Sequence, residues 1–178
     1  MREFIEKILV TQDEIREHVK KLADILNEEY KNDENVVFVG VLTGAYVFAA
    51  DLSRELRFTH EMDFVSASSY GAGTESSGNV KITRDLSVDI KEKHVIILDE
   101  LIDTGTTLSY IKGMLSKRGA ASVKICALMN KEERRVVDIH SDYPVIEIPN
   151  EFVVGYGLDY NGFYRNCKDV AVLKEYKI

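Results

Sequence analysis

Residues 94–107 read His-Val-Ile-Ile-Leu-Asp-Glu-Leu-Ile-Asp-Thr-Gly-Thr-Thr. The apolar run from Val95 to Leu98 ends in two adjacent carboxylates, Asp99 and Glu100. A third, Asp103, opens a short loop of small hydroxylated residues around Gly105. Beyond the loop, Leu108, Ile111 and Leu115 recur three and four residues apart, the spacing of one helix face over Leu108 to Arg118. The stretch therefore predicts a buried strand, an acidic loop and a helix, in that order. Amides at a helix start have no intrahelical acceptor, and the helix dipole favours an anion beside them. Gly105 lets the backbone approach a bound group and take unusual dihedrals, and Thr104, Thr106 and Thr107 add hydroxyl donors. The frame Gly-x-x-x-x-Gly-Lys of a Walker A loop is missing. What remains suits a phosphorylated sugar, with Asp99 and Glu100 offering oxygen atoms to ribose hydroxyls or to Mg²⁺. An ordinary strand-to-helix turn with a threonine cap is the plain alternative. Three carboxylates and a threonine-rich turn after a buried strand weigh against it.

The bulk of the chain fits a single soluble domain. It has 178 residues, enough for a full core, and is 45% hydrophobic and 30% charged. No apolar run reaches the length of a membrane span, so no membrane partner is expected. The first residues, Met1-Arg2-Glu3-Phe4-Ile5-Glu6-Lys7, carry acids and no long apolar core, unlike a secretory signal. Cys126 and Cys167 are far apart, which suits a reducing, cytoplasmic setting. A formal charge of -7 argues against a nucleic-acid surface.

Strands and helices alternate on both sides of the acidic loop. Thr11-Gln12-Asp13-Glu14 is a capping box, and Ile15, Val19, Leu22 and Leu26 form the apolar stripe of a helix over 12–31. Val36 to Leu42 is a buried strand, followed by Thr43-Gly44 and a helix from about Ala45 to Leu56. Glu61 to Ser68, Val80 to Leu86 and Ser122 to Met129 read as further strands, and Gly119 stops the helix before the last of them. Residues 71–79 are the most flexible in composition. This order implies an α/β fold with a mostly parallel central sheet flanked by helices and right-handed crossovers. In such sheets ligands bind beyond the carboxyl ends of the strands. Residues 42–44, 69–79, 99–107 and 130–135 all fall there and predict one shared cleft.

The strand, the paired acids, two apolar residues and Asp-Thr-Gly-x-Thr resemble the phosphoribosyl-diphosphate signature of the type I phosphoribosyltransferases. Asp103 resembles the branch acting on 6-oxopurines, hypoxanthine and guanine. The resemblance runs from about residue 10 to residue 173. It implies one phosphoribosyltransferase domain over 1–178, with a core of about 35–145 and a small hood built from about 1–12 and 146–178. It also implies an enzyme of purine salvage that moves ribose 5-phosphate from 5-phospho-α-D-ribose 1-diphosphate to N9 of the base, with Mg²⁺ as cofactor. A homodimer or homotetramer is implied likewise.

Site residues carry over by position. Val39 to Ala45 resembles the diphosphate loop, with Thr43 and Gly44 offering backbone N–H groups and a cis peptide at Leu42–Thr43. Many relatives have Lys where this chain has Thr43. Ser69 and Tyr70 resemble the start of a lid that keeps water from the reacting carbon. Lys131 would donate to the exocyclic oxygen of the purine, and Arg134 and Arg135 are weaker candidates of the same kind. In residues 148–165, Phe152 would stack on the base and Val153 would offer its carbonyl. Asp159 would join Asp99 and Glu100 around Mg²⁺, and Arg165 would contact the diphosphate. Relatives commonly show Glu-Asp where this chain has Asp99-Glu100. Asp103 would act as general base at purine N7. Two other readings share the fold: a regulator that senses phosphoribosyl diphosphate, and a transferase for another purine such as xanthine or adenine.

Overall fold

The computed structural model describes residues 5–69 and 80–174. Tyr70 and the glycine-rich stretch 71–79, named above as a lid, lie outside the described residues. In chain order the elements are β1 (Ile5–Val10), α1 (Gln12–Glu29), β2 (Val36–Leu42), α2 (Tyr46–Glu55), β3 (Glu61–Ser69) and β4 (Val80–Arg84). There follow β5 (His94–Ile102), α3 (Thr106–Lys117), β6 (Ser122–Asn130), β7 (Ile146–Glu147), β8 (Val153–Val154) and β9 (Val170–Leu173).

Six strands form one sheet in the order β4-β3-β2-β5-β6-β7. All neighbours are parallel except the β3–β4 pair. Period-two alternation along the central strands sorts their side chains to two faces. Phe38, Ile96, Leu98 and Leu128 join Leu22 and Leu26 of α1 and Phe48 and Leu52 of α2 in one core. Val37, Val39, Val95, Ile97 and Ile125 join Leu108, Ile111 and Leu115 of α3 in the other. Each such side chain is worth about 1.5–3 kcal/mol of burial, so the central strands are the most firmly held part of the chain. The cap on α1 is as expected: Thr11 Oγ1 accepts from the Glu14 amide at 3.3 Å, and Glu14 Oε2 accepts from the Thr11 amide at 2.8 Å.

Strand β5 is longer than the apolar run that announced it. Its ladder with β6 continues through Asp99↔Ala127, Leu101↔Met129 and Ile102↔Asn130. The paired acids thus sit within the strand rather than beyond it, and the loop begins only at Asp103.

A second sheet, β1-β9-β8, is antiparallel throughout and joins the two ends of the chain. It is the expected hood. Strand β7 pairs with β6 through Met129↔Ile146 and Asn130↔Glu147 and so belongs to the larger sheet.

Candidate active site

The loop after β5 turns on Gly105, which has φ 82°. An L side chain is strained there, and a Cβ would also stand 2.4 Å from Ile139 Cγ2. The loop is held from beneath by residues 130–139. Arg135 Nη1 donates to the Asp103 carbonyl at 2.7 Å, Arg135 Nη2 donates to Asn130 Oδ1, and the Val136 amide donates to the Thr104 carbonyl at 3.1 Å. The Arg135 side chain is only 8% exposed. With the carbonyls occupied from below, the amides are left over. Among the described residues the N–H groups of Thr104, Gly105, Thr107 and Leu108 have no acceptor, and that of Thr106 reaches only Thr104 Oγ1 at 3.5 Å. Open donors at the start of a twelve-residue helix form an anion site.

Asp103 stands beside two cations. Arg134 Nε lies 2.7 Å from its Oδ1, an ion pair whose angle falls short of a hydrogen bond. Lys131 is buried, and that burial lowers its ammonium below the ordinary lysine value while the Asp103 charge pulls it back up. Its amide donates to the Ile102 carbonyl at 3.0 Å, which ties the end of β6 to the end of β5.

The paired acids face the other turn. Leu42–Thr43 is the cis peptide that the resemblance implied. Glu100 is buried directly against the Gly44 backbone: a Cβ on Gly44 would lie 1.6 Å from Glu100 Oε1. Only glycine permits that approach. Among the described residues the amides of Thr43 and Gly44 have no acceptor. Burial, then the adjacent Glu100 charge, push Asp99 well above the usual carboxylate range. Burial raises Glu100 as well, with Arg165 drawing it back down and Asp159 pushing it further up. Glu100 Oε2 is buried and makes no hydrogen bond.

The segment after β8 closes over this corner. A Cβ on Gly157 would lie 2.0 Å from the Gly44 carbonyl oxygen. Arg165 Nη1 donates to the Gly157 carbonyl at 2.6 Å, and Nη2 pairs with Asp159 Oδ1 at 2.7 Å. Asp159 Oδ2 accepts from the Gly162 amide at 2.7 Å. Both Asp159 oxygens are therefore engaged. Among the described residues no three acidic, histidine or cysteine side chains are grouped so as to hold a metal ion by themselves.

The structure thus brings the expected residues together in two groups. Asp103 to Thr107 stand with Lys131, and Thr43, Gly44, Asp99 and Glu100 stand with Asp159 and Arg165. Phe152 is 58% exposed, with its ring edge-on to Tyr160 at 5.7 Å, and Val153 is buried in β8. Ser69 ends β3. Arg134 faces the Asp103 carboxylate, and Arg135 supports the loop. Asn130 and Gly157 fall in the expected stretches 130–135 and 148–165 but carried no assigned role; Gly157 is one of several glycines in its segment, and nothing in the sequence sets it apart. A cavity of about 360 Å³ opens between α1, α2 and residues 165–168. It reaches Arg165 but none of Asp99, Glu100 and Asp103.

Residues 8–161 match the family model of the phosphoribosyl transferase domain. The hypoxanthine-guanine phosphoribosyltransferase of Streptococcus pneumoniae is 48% identical over 171 residues, covering 96% of this chain and 94% of that protein. The crystal structure of a hypoxanthine phosphoribosyltransferase from Staphylococcus aureus superposes with a TM-score of 0.93 at 39% identity, over 98% of this chain and 94% of the other. A hypoxanthine phosphoribosyl transferase from Trypanosoma cruzi, studied for the role of its C-terminal region in oligomeric state and activity, gives a TM-score of 0.90 at 41% identity. It covers 97% of this chain and 93% of its own.

Proposed function

The chain belongs to the phosphoribosyltransferase family, in its hypoxanthine-guanine branch, and from that membership we propose how its own residues divide the reaction. The function is purine salvage. Ribose 5-phosphate passes from 5-phospho-α-D-ribose 1-diphosphate to N9 of hypoxanthine or guanine, and diphosphate leaves. The observation that carries the residue assignment is the set of open amides from Thr104 to Leu108 beside a half-exposed carboxylate, Asp103.

In this reading those amides and the hydroxyls of Thr104, Thr106 and Thr107 hold the 5′-phosphate. The carbonyl-side clamp from Arg135 keeps them pointed at it. Asp103 accepts the proton that a 6-oxopurine carries on N7 as N9 attacks, and returns it in the reverse direction. Lys131 donates to the exocyclic oxygen, Phe152 stacks on the ring and the Val153 carbonyl faces the purine edge. Thr43 and Gly44 offer their amides to the diphosphate, and Arg165 offers its guanidinium. Ser69 and Tyr70 begin the segment that excludes water from the reacting carbon.

The donor set fits Mg²⁺. Asp99 and Glu100 are hard oxygen ligands, and Glu100 Oε2 is buried without a partner. An ion of this kind keeps waters and substrate oxygens and needs only one or two carboxylates. Asp159, already tied to Arg165 and Gly162, would act through water. When bound, the ion neutralises charge developing on the leaving diphosphate.

The deciding experiment incubates the protein with Mg²⁺, phosphoribosyl diphosphate and each of hypoxanthine, guanine, xanthine and adenine. IMP and GMP are the expected products. AMP or XMP as the main product would reassign the base pocket, and no nucleotide at all would end the reading. We further propose that the protein acts in the cytoplasm on small molecules, without nucleic acid, as a homodimer or homotetramer. No helix among the described residues is long and apolar enough to cross a membrane. Light scattering on the purified protein tests the assembly.

A further inference from the structure

We infer that Arg134 is a positioning residue for the transfer step: it pins one oxygen of Asp103 and so selects the other as the atom that meets the purine. The inference rests on the reading of Asp103 as the general base. Arg134 Nε lies 2.7 Å from Asp103 Oδ1, and that oxygen is closed to solvent. The Asp103 side chain as a whole is nevertheless 41% exposed. The carboxylate therefore presents Oδ2, not Oδ1, to whatever enters.

The turn that carries Arg134 is held in place from several sides. Residues Glu132–Arg134 form one turn of 3₁₀ helix, and the Arg134 amide donates to the Lys131 carbonyl at 3.2 Å. The next residue, Arg135, is locked under the Asp103 carbonyl. The backbone of Asp103 and the backbone of Arg134 are thus parts of one braced unit, so the two side chains start from fixed positions. A carboxylate free to rotate would offer either oxygen and lose the alignment that proton transfer needs. Among the described residues Arg134 is the cation that forms an ion pair with Asp103, whereas Lys131, just past β6, does not, so pinning falls to Arg134.

The test uses Arg134→Gln and Arg134→Lys in the full chain, with hypoxanthine and phosphoribosyl diphosphate as substrates. Arg134→Gln is expected to lower kcat by about tenfold, with KM for phosphoribosyl diphosphate within about twofold of the parent. Arg134→Lys, which restores the charge, is expected to recover most of the loss. Both variants are melted alongside the parent. If the Gln variant unfolds early, Arg134→Met, which keeps the length of the side chain and removes its charge, takes its place with the same outcomes expected, the arginine being half-exposed. Unchanged kcat in the Gln variant would overturn the inference. So would a fall in purine KM at constant kcat, which would make Arg134 a competitor for the purine's seat. A selective rise in KM for phosphoribosyl diphosphate would place Arg134 at the phosphate instead and overturn it as well. Inactivity of the parent protein would refute the general reading of the site, a separate result from any of these.

Discussion

The loop at 103–107 and the segment at 157–165 both bring charge to the site, and they keep it in opposite ways. Beneath the loop, Arg135 and Val136 occupy the carbonyls, and the amides above are left without acceptors. In the hood segment the groups satisfy one another: Arg165 holds Gly157 and Asp159, and Asp159 holds Gly162. The first region is preorganised for an anion and loses nothing when one arrives. The second must exchange protein partners for ligand, so its interactions count toward binding only by their surplus. Strength of attachment to the core follows the same division. The loop grows out of the buried strand β5, whereas the hood rests on a three-stranded sheet at the chain ends.

Substitutions in the two regions should therefore behave differently. The largest effect is expected at the loop. Asp103→Asn should reduce kcat about 100-fold or more, while the dissociation constant for IMP, measured by calorimetry, changes only a few-fold. Equal losses in both would move Asp103 from chemistry to binding. Next, Arg135→Met should cost about 2 kcal/mol in urea unfolding, because it strands the Asp103 carbonyl and Asn130 side chain. It should also raise KM for phosphoribosyl diphosphate. Stability unchanged would mean that the clamp does not hold the loop. In the hood, Arg165→Ala should raise KM for phosphoribosyl diphosphate about tenfold but cost less than about 1 kcal/mol of stability, its ion pair with Asp159 being partly exposed. A large loss of stability there would erase the contrast between the regions.

The smallest effect concerns Asp99, and its sign is opposite. Its folded pKa lies above the unfolded value, raised first by burial and then by Glu100. Between those two values the folded state binds the extra proton, so stability falls as pH rises through that window. Asp99→Asn removes the penalty. It should flatten the decline and raise the melting temperature at neutral pH by about 2–4 °C, the shift that ~1 kcal/mol produces in a chain of this length. Activity should fall in the same variant. A lower melting temperature would show that the paired acids stabilise the fold rather than strain it for ligand.

Much of this was legible in residues 94–107, because an apolar run, a glycine at a turn and a helical stripe are local signals. The apolar runs of β2 and β5 announce strands buried on both faces, and the structure packs those faces into two cores. The end of β5 was misplaced because a charged pair normally marks a strand's exit, and here pairing with β6 overrides the local cue. Two-residue β7 carries no pattern to read. The contacts of Arg134 and Arg135 with Asp103 bridge about thirty residues and depend on a single 3₁₀ turn. Sequence could name those arginines as near the cleft but could not say which would pin the carboxylate and which would carry the loop.

The central claim is that the amides from Thr104 to Leu108 receive the nucleotide's phosphate. Two-dimensional ¹⁵N–¹H spectra of the labelled protein, titrated with GMP, address it residue by residue. Those five amides should show large, saturable downfield proton shifts that all yield one dissociation constant. Saturable binding that leaves the five resonances where they were would contradict it.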